Sequence, residues 1–169
     1  MSERWLTRPE APNDIASVRS VVVAAFPTAD EADLVDSLRR DPAWIDGLSM
    51  VAVDAAGAVV GHALLTRCFV DEVEALCLAP CAVRPDVQRQ GVGTAVITAA
   101  IEAARALGES LVIVLGHPAY YPRFGFRRAS EAGIQLSIDV PDDALMVLSL
   151  DGAPVPTGMV KYAGPFGIS

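Results

Sequence analysis

The chain has 169 residues, 52% of them apolar and 20% charged, with a net charge of −8. That is the length of one domain, with enough apolar residues to build a core without staples. It excludes intrinsic disorder, which needs low hydrophobicity and high charge, and the acidic balance excludes a broad nucleic-acid surface.

Mean hydropathy is +0.38, yet no uninterrupted apolar run reaches the roughly 18 residues of a membrane helix. Met1-Ser2-Glu3-Arg4-Trp5 shows no basic-then-apolar signal peptide, so a cytoplasmic setting is expected. The only lysine is Lys161, which excludes a Walker phosphate loop. The cysteines are Cys68, Cys77 and Cys81. Their odd count argues against a disulfide framework. Cys77 and Cys81 have no His or Cys at zinc-site spacing after them, so buried, reduced thiols are expected and no metal.

In chain order, Arg4–Thr7 reads as a short strand. Pro9, Pro12 and Asn13-Asp14 form a turn and a helix cap. Ile15, Val18, Val22 and Phe26 recur on one helical face, which Pro27 ends. Glu31–Arg39 reads as a second helix, with Leu34, Val35 and Leu38 on one side. Leu48–Val53 is strand-like. Asp54-Ala55-Ala56-Gly57 is a hairpin turn into Ala58–Val70. Ala75–Val83 is a further strand, and Pro80 inside it predicts a bulge or splay. A long helix runs from Gly91-Val92-Gly93 to Leu107, where Ala95, Val96, Ala99, Ala103 and Leu107 keep a 3.6 period and Gly108 stops it. Leu111–Leu115 is a buried strand, and Pro118–Phe124 a helical turn closed by Gly125. The stretches near Phe126, Ala144–Leu150 and Met159–Tyr162 are closing strands. This order predicts an α/β (α+β) sandwich with a mixed sheet flanked by helices. Residues 1–150 read as the domain. Residues 151–169 read as a C-terminal extension of it, whose apolar Phe166-Gly167-Ile168 is suited to packing on the domain or on a second copy in a homodimer.

The segment from Val83 to Thr94 joins a strand to a helix and contains Gly91 and Gly93. Glycines let backbone N–H groups approach a ligand. A helix start adds unpaired N–H groups and partial positive charge, which suit a phosphate. Arg84 and Arg89 add formal charge. The dinucleotide fingerprint fails on the same letters. Its third small residue would be Val96, and Leu111–Leu115 leads to Gly116-His117 instead of an acidic residue.

With the next element in view, the sequence resembles the GNAT superfamily of acyl-CoA-dependent N-acetyltransferases. Gln88-x-x-Gly91-x-Gly93 resembles that family's acetyl-CoA motif, and Tyr121-x-x-x-Gly125-Phe126 its later motif. One helix and one strand separate them, as in the family. From Leu78-Ala79-Pro80 through Phe126 the chain further resembles a bacterial, predicted-acetyltransferase branch.

The resemblance implies a splayed sheet and acetyl-CoA as acyl donor. It places the pyrophosphate on backbone amides of Gln88, Arg89, Gln90, Gly91, Val92, Gly93 and Thr94. It pairs the pantetheine arm with Cys81, Ala82 and Val83, and makes Tyr121 the general acid for the departing thiolate. The acceptor is a primary amine on a small molecule or peptide, attacking directly in a ternary complex. A backbone N–H near Ala82 would serve the carbonyl oxygen. Candidates for the general base are Glu74, a water chain, Asp71 or Glu72, and His117. His62 reads as a structural strand residue. Tyr120, Tyr121, Phe124 and Phe126 also fit an aromatic core cluster. Tyr120 could instead line the acceptor pocket, and Arg123 could meet a cofactor phosphate or solvent. A covalent route through Cys77 or Cys81 needs an activating partner. The rival functions are a non-catalytic acyl-CoA-binding module and transfer of a longer acyl group.

Overall fold

The computed structural model describes residues 5–168. Strand β1 (Leu6–Pro9) leads through a 3-10 turn to α1 (Ile15–Ala25) and α2 (Asp30–Arg39). Strands β2 (Trp44–Val53), β3 (Val59–Val70) and β4 (Val73–Val83) follow as an antiparallel meander. Then come α3 (Val92–Ala106), β5 (Leu111–Leu115), the short β6 (Arg127–Arg128) and β7 (Ile134–Gln135), β8 (Leu145–Ser149) and β9 (Gly158–Lys161). The main sheet runs β1-β2-β3-β4-β5-β8-β6, with β4 and β5 parallel and its other pairs antiparallel. Strand β9 joins β3 at Phe69 and Val70 and carries β7. The mixed sheet flanked by helices is the architecture expected from the sequence. Among the described residues no helix is long and apolar enough to cross a membrane.

Local chemistry explains the boundaries. The Asp54 carboxylate accepts from the N–H groups of Ala56 and Ala58, both at 2.9 Å, and Gly57 takes φ +86°, which closes the β2–β3 hairpin. Asp14 departs from its expected role. Its backbone is already helical, and no side-chain bond caps α1. Its carboxylate turns back to the Ala11 N–H at 2.6 Å and to Arg8 at 2.6 Å. That guanidinium holds its pKa below the usual carboxylate range. Strand β1 is shifted towards Pro9 from the expected Arg4–Thr7, and Arg4 lies outside the described residues.

The two faces of the sheet bury different helices. Helix α3 lies on one face against β2 and β3. Its core stripe is Val92, Val96, Ala100 and Ala104, with Ile97 and Ile101 beside it. The expected stripe was rotated from this one: Ala95, Ala99 and Ala103 are only partly buried, and Leu107 is 55% exposed. Alanines occur on both sides of this helix, so period alone is ambiguous. The bulkier Val and Ile side chains decide which side faces the core. On the other face α1 buries Val18, Val21 and Val22, and α2 buries Ala32, Val35 and Leu38.

Gly61 on β3 makes room for the start of α3. A methyl group there would stand 2.5 Å from Val92 Cγ1. Gly61→Ala should therefore lower stability by about 1–3 kcal/mol through overpacking. Denaturant unfolding would show it as a lower midpoint at unchanged slope.

Candidate active site

Strands β4 and β5 pair only at Leu76–Val112 and Cys77–Ile113. Beyond Cys77 they part, while β5 stays paired with β8 along its whole length. The register between β3 and β4 slips between Ala63–Cys81 and Leu65–Leu78. That leaves one extra residue on β4, at Ala79-Pro80, where Pro80 was expected to bulge the strand. The gap forms a cleft of about 710 Å³, within the usual range for small-molecule sites. Cys81, Ala82 and Val83 form one wall, and β5 gives them no ladder partner.

The glycine loop closes one end of this cleft. Arg89 and Gly91 both have left-handed backbones, φ +65° and +90°. They turn the chain so that α3 starts at Val92, and no side chain caps that start. Its first N–H groups are therefore available to an anion. A Cβ at Gly93 would stand 2.9 Å from the Tyr120 hydroxyl, so a side chain there would displace Tyr120 from its place beside the helix start. Gln88, Arg89, Gly91, Gly93 and Thr94 line the cleft. The Gln88 amide donates to the Val83 carbonyl at 3.1 Å and ties the loop to β4. Gln90 and Val92 offer the cleft no side chain. The Gln90 carbonyl accepts the Trp5 indole N–H at 2.9 Å on the outer side, and Val92 is core. Arg84 also leaves the group expected beside the phosphate. It pairs with Asp86 at 2.6 Å, along a separate groove beside α1.

Tyr121 stands at the other end. The carbonyl of His117 accepts from the Tyr120 and Tyr121 N–H groups, and Gly125 at φ +101° ends the 3-10 turn. The Tyr121 ring packs against Gly116, where a Cβ would sit 2.5 Å from it. Edge contacts to Tyr120 at 5.1 Å and Phe126 at 5.9 Å hold it there. Its hydroxyl is hydrogen-bonded with the Cys81 thiol. Burial and that thiol raise its pKa, so it is a neutral O–H donor. Burial pushes Cys81 up to about 12 and raises Cys77 well above the usual thiol range. Neither is a thiolate at neutral pH, which removes the basis for a covalent cysteine route. The Arg123 guanidinium lies over the Tyr120 ring at 4.1 Å and lines the cleft.

Glu74 is the sequence candidate that the structure does not bring to the cleft. It is exposed at the start of β4, opposite Phe69. Cys81 lies seven positions further along the strand, about 23 Å at the usual rise. Asp71 and Glu72 are in the hairpin that precedes it, and Asp71 is engaged by the Met159 N–H at 2.9 Å. His117 is exposed and lines the cleft. No carboxylate lines it among the described residues. Ala25 and Phe26 do, although Phe26 was expected only as part of a helical core face. Among the described residues no group of three or more His, Cys, Asp or Glu could hold a metal ion.

A bulged, splayed parallel pair with an uncapped helix start at its mouth forms a cleft suited to a ligand with an anionic group, and comparison with known proteins identifies the family. Residues 15–126 match the acetyltransferase (GNAT) family model. The chain is 38% identical over 162 residues to the uncharacterized N-acetyltransferase YjhQ of Escherichia coli K12, across 90% of this chain and 89% of that protein. The crystal structure of the Escherichia coli GNAT N-acetyltransferase YhbS in complex with CoA superposes with a TM-score of 0.88 at 28% identity, over 99% of this chain and 94% of that one. A GNAT acetyltransferase from Brucella melitensis in complex with acetyl-CoA gives 0.80 at 28% identity, over 98% and 99%. The chain belongs to the GNAT acetyltransferase family.

Proposed function

We propose that the protein transfers an acetyl group from acetyl-CoA to a primary amine, on a small molecule or a peptide, by direct attack in a ternary complex. The observation that carries this is the open β4–β5 cleft, with bare helix-start amides at one end and a neutral tyrosine hydroxyl at the other. The residues fit the donor. Backbone amides from Gln88 to Thr94 suit its pyrophosphate, Arg89 adds charge, and the β4 edge at Cys81–Val83, paired with β3 but left open by β5, suits an extended pantetheine arm. When bound, acetyl-CoA supplies the electrophilic thioester carbonyl.

The protein supplies position and protons. The β4 backbone N–H near Ala82 donates to the carbonyl oxygen. Holding amine and carbonyl together provides much of the acceleration. Tyr121 donates its proton to the departing sulfur. The raised pKa of Cys81 shows how strongly this pocket penalises a sulfur anion. A leaving sulfur in the same surroundings is disfavoured as an anion, and the Tyr121 hydroxyl, held neutral by the same burial, is the proton source beside it. Glu74 has no part in this scheme because of its distance.

Residues 1–150 then form the catalytic domain, and 151–169 extend it. Strand β9 pairs with β3, and Val160 shares a core cluster with Cys77 and Ile113. Free cysteines at 68, 77 and 81 suit a cytoplasmic, reducing compartment. The apolar C-terminal end suits a homodimer contact, which a monomer mass independent of concentration would dismiss.

Calorimetric titration with acetyl-CoA, NAD and ATP tests the donor half. Micromolar binding of acetyl-CoA alone is expected, and its absence would overturn the reading. Thiol release from acetyl-CoA and longer acyl-CoAs in the presence of amines separates acetyl transfer from its two rivals. Binding without release would indicate a sensor module.

A further inference from the structure

Amine attack releases a proton, and among the described residues no carboxylate lines the cleft to receive it. Directly behind the cleft wall lies a buried polar chain that the scheme above does not use. In the β3–β4 register His62 stands opposite Ala82, and Ala82 lines the cleft. Cross-strand partners project to the same face. His62 is fully buried, and its Nε2 is 2.8 Å from the Ser49 hydroxyl. The Ser49 hydroxyl is 2.8 Å from Glu10 Oε1. Arg39 of α2 grips the Glu10 carboxylate with both terminal nitrogens and lies 4.7 Å over the Trp44 ring.

Counting hydrogens fixes the direction of this chain. Ser49 has one proton, and it goes to the Glu10 carboxylate, which has none to give. Nε2 must then be the N–H of His62 and donate to the Ser49 oxygen. The lone pair is left on Nδ1. That atom is buried and has no hydrogen-bond partner among the described residues. A buried acceptor without a donor is costly, and a neutral imidazole backed by a hydroxyl and a carboxylate is the arrangement by which bases are oriented.

We propose that His62, Ser49 and Glu10 form a proton relay that drains the cleft during amine attack. This rests on the acetyl-transfer reading of the site. As the nitrogen forms its bond to the carbonyl carbon, its proton passes by way of a water to His62 Nδ1, which is itself buried behind Ala82. The Nε2 proton moves to Ser49 Oγ, and the Ser49 proton moves to Glu10. Glu10 releases it to solvent, the carbon–sulfur bond breaks, and the sulfur takes the Tyr121 proton; the chain run in reverse then carries a proton from solvent back to the Tyr121 phenolate and returns His62 to its Nε2–H form. Each member of the relay gains and loses one proton. The charged groups facing His62 are Glu10, from the segment after β1, and Arg39, from α2. Burial and the Arg39 charge lower the His62 pKa to about 3, so the resting imidazole is neutral and a proton taken at Nδ1 must leave from Nε2 as it arrives.

Two measurements on the full chain test this. The first is long-range ¹H–¹⁵N NMR of its two histidines, assigned with a His117→Gln variant. The relay requires His62 in the neutral Nε2–H form, unchanged down to about pH 4. An Nδ1–H form, or titration in the ordinary histidine range, overturns it. The second is kinetics with spermidine, a lysine ester and a peptide amine. Ser49→Ala and the isosteric Glu10→Gln should each lower kcat by about 10²-fold with acetyl-CoA affinity unchanged. Ser49→Thr, which keeps the hydroxyl, should recover most of that loss. A chain that only anchors α2 would lose melting temperature and keep kcat, so a folded variant with wild-type kcat overturns the relay. Wild-type protein that binds acetyl-CoA and acetylates none of these amines overturns the acetyl-transfer reading, and the relay with it.

Discussion

Gly91→Glu is expected to abolish measurable acetyl-CoA binding, a loss of more than about 100-fold in calorimetric affinity. Two effects combine. Gly91 has φ +90°, a conformation that other residues adopt only at a cost of about 1–2 kcal/mol, so the loop would tend to rearrange. The new carboxylate would also stand beside the uncapped start of α3, competing for N–H groups that an incoming phosphate needs. Steric exclusion inside the protein is not the cause, because a Cβ at Gly91 meets nothing within 4 Å. Gly91→Ala separates the two effects. It carries the backbone cost without the charge, and should bind several-fold more weakly with a modest fall in melting temperature. Wild-type affinity in Gly91→Glu would remove the glycine loop from the site.

Much of this site was legible because its parts are local. The glycine loop, the strand before it and the Tyr121 turn are contiguous segments, and each is shaped by residues that belong to it: Pro80, Gly91, Gly93, Gly125. Pro80 predicted the bulge because a residue without an N–H cannot continue a ladder. What stayed hidden depends on contacts between distant segments. Glu74 lies on the right strand, but only the β3–β4 register shows that it sits at the wrong end. The face of α3 is ambiguous in the sequence because its alanines fit two stripes, and only packing against the sheet selects Val92 and Ile97. His62 read as structural since nothing near it in sequence is polar and paired. Its partners come from positions 10, 39 and 49, on three other segments. A single sequence records composition and period along each element, whereas such a network exists only once the sheet has closed.

Tyr121→Phe is expected to lower kcat by about 10²-fold or more, with acetyl-CoA affinity within a factor of three of wild type. General acid catalysis typically contributes this much, and the substitution removes one hydroxyl while keeping the ring. The ring contacts to Gly116, Tyr120 and Phe126 should survive, so melting temperature should change little. The Cys81 thiol loses its partner, a small cost for a weak donor. Steady-state kinetics with calorimetry on the same variant separates the two roles open to this side chain. A core aromatic would leave kcat untouched, whereas a proton donor leaves affinity untouched. The pH profile adds a check with a definite sign. The folded pKa of Tyr121 lies above the ordinary tyrosine value, so the hydroxyl keeps its proton well into alkaline pH. Wild-type kcat should therefore show no tyrosine-dependent fall up to about pH 10, the pKa of an unperturbed tyrosine. An alkaline limb centred below that value, and absent in Tyr121→Phe, would mean that the hydroxyl ionises too easily for the buried, Cys81-bonded position described above.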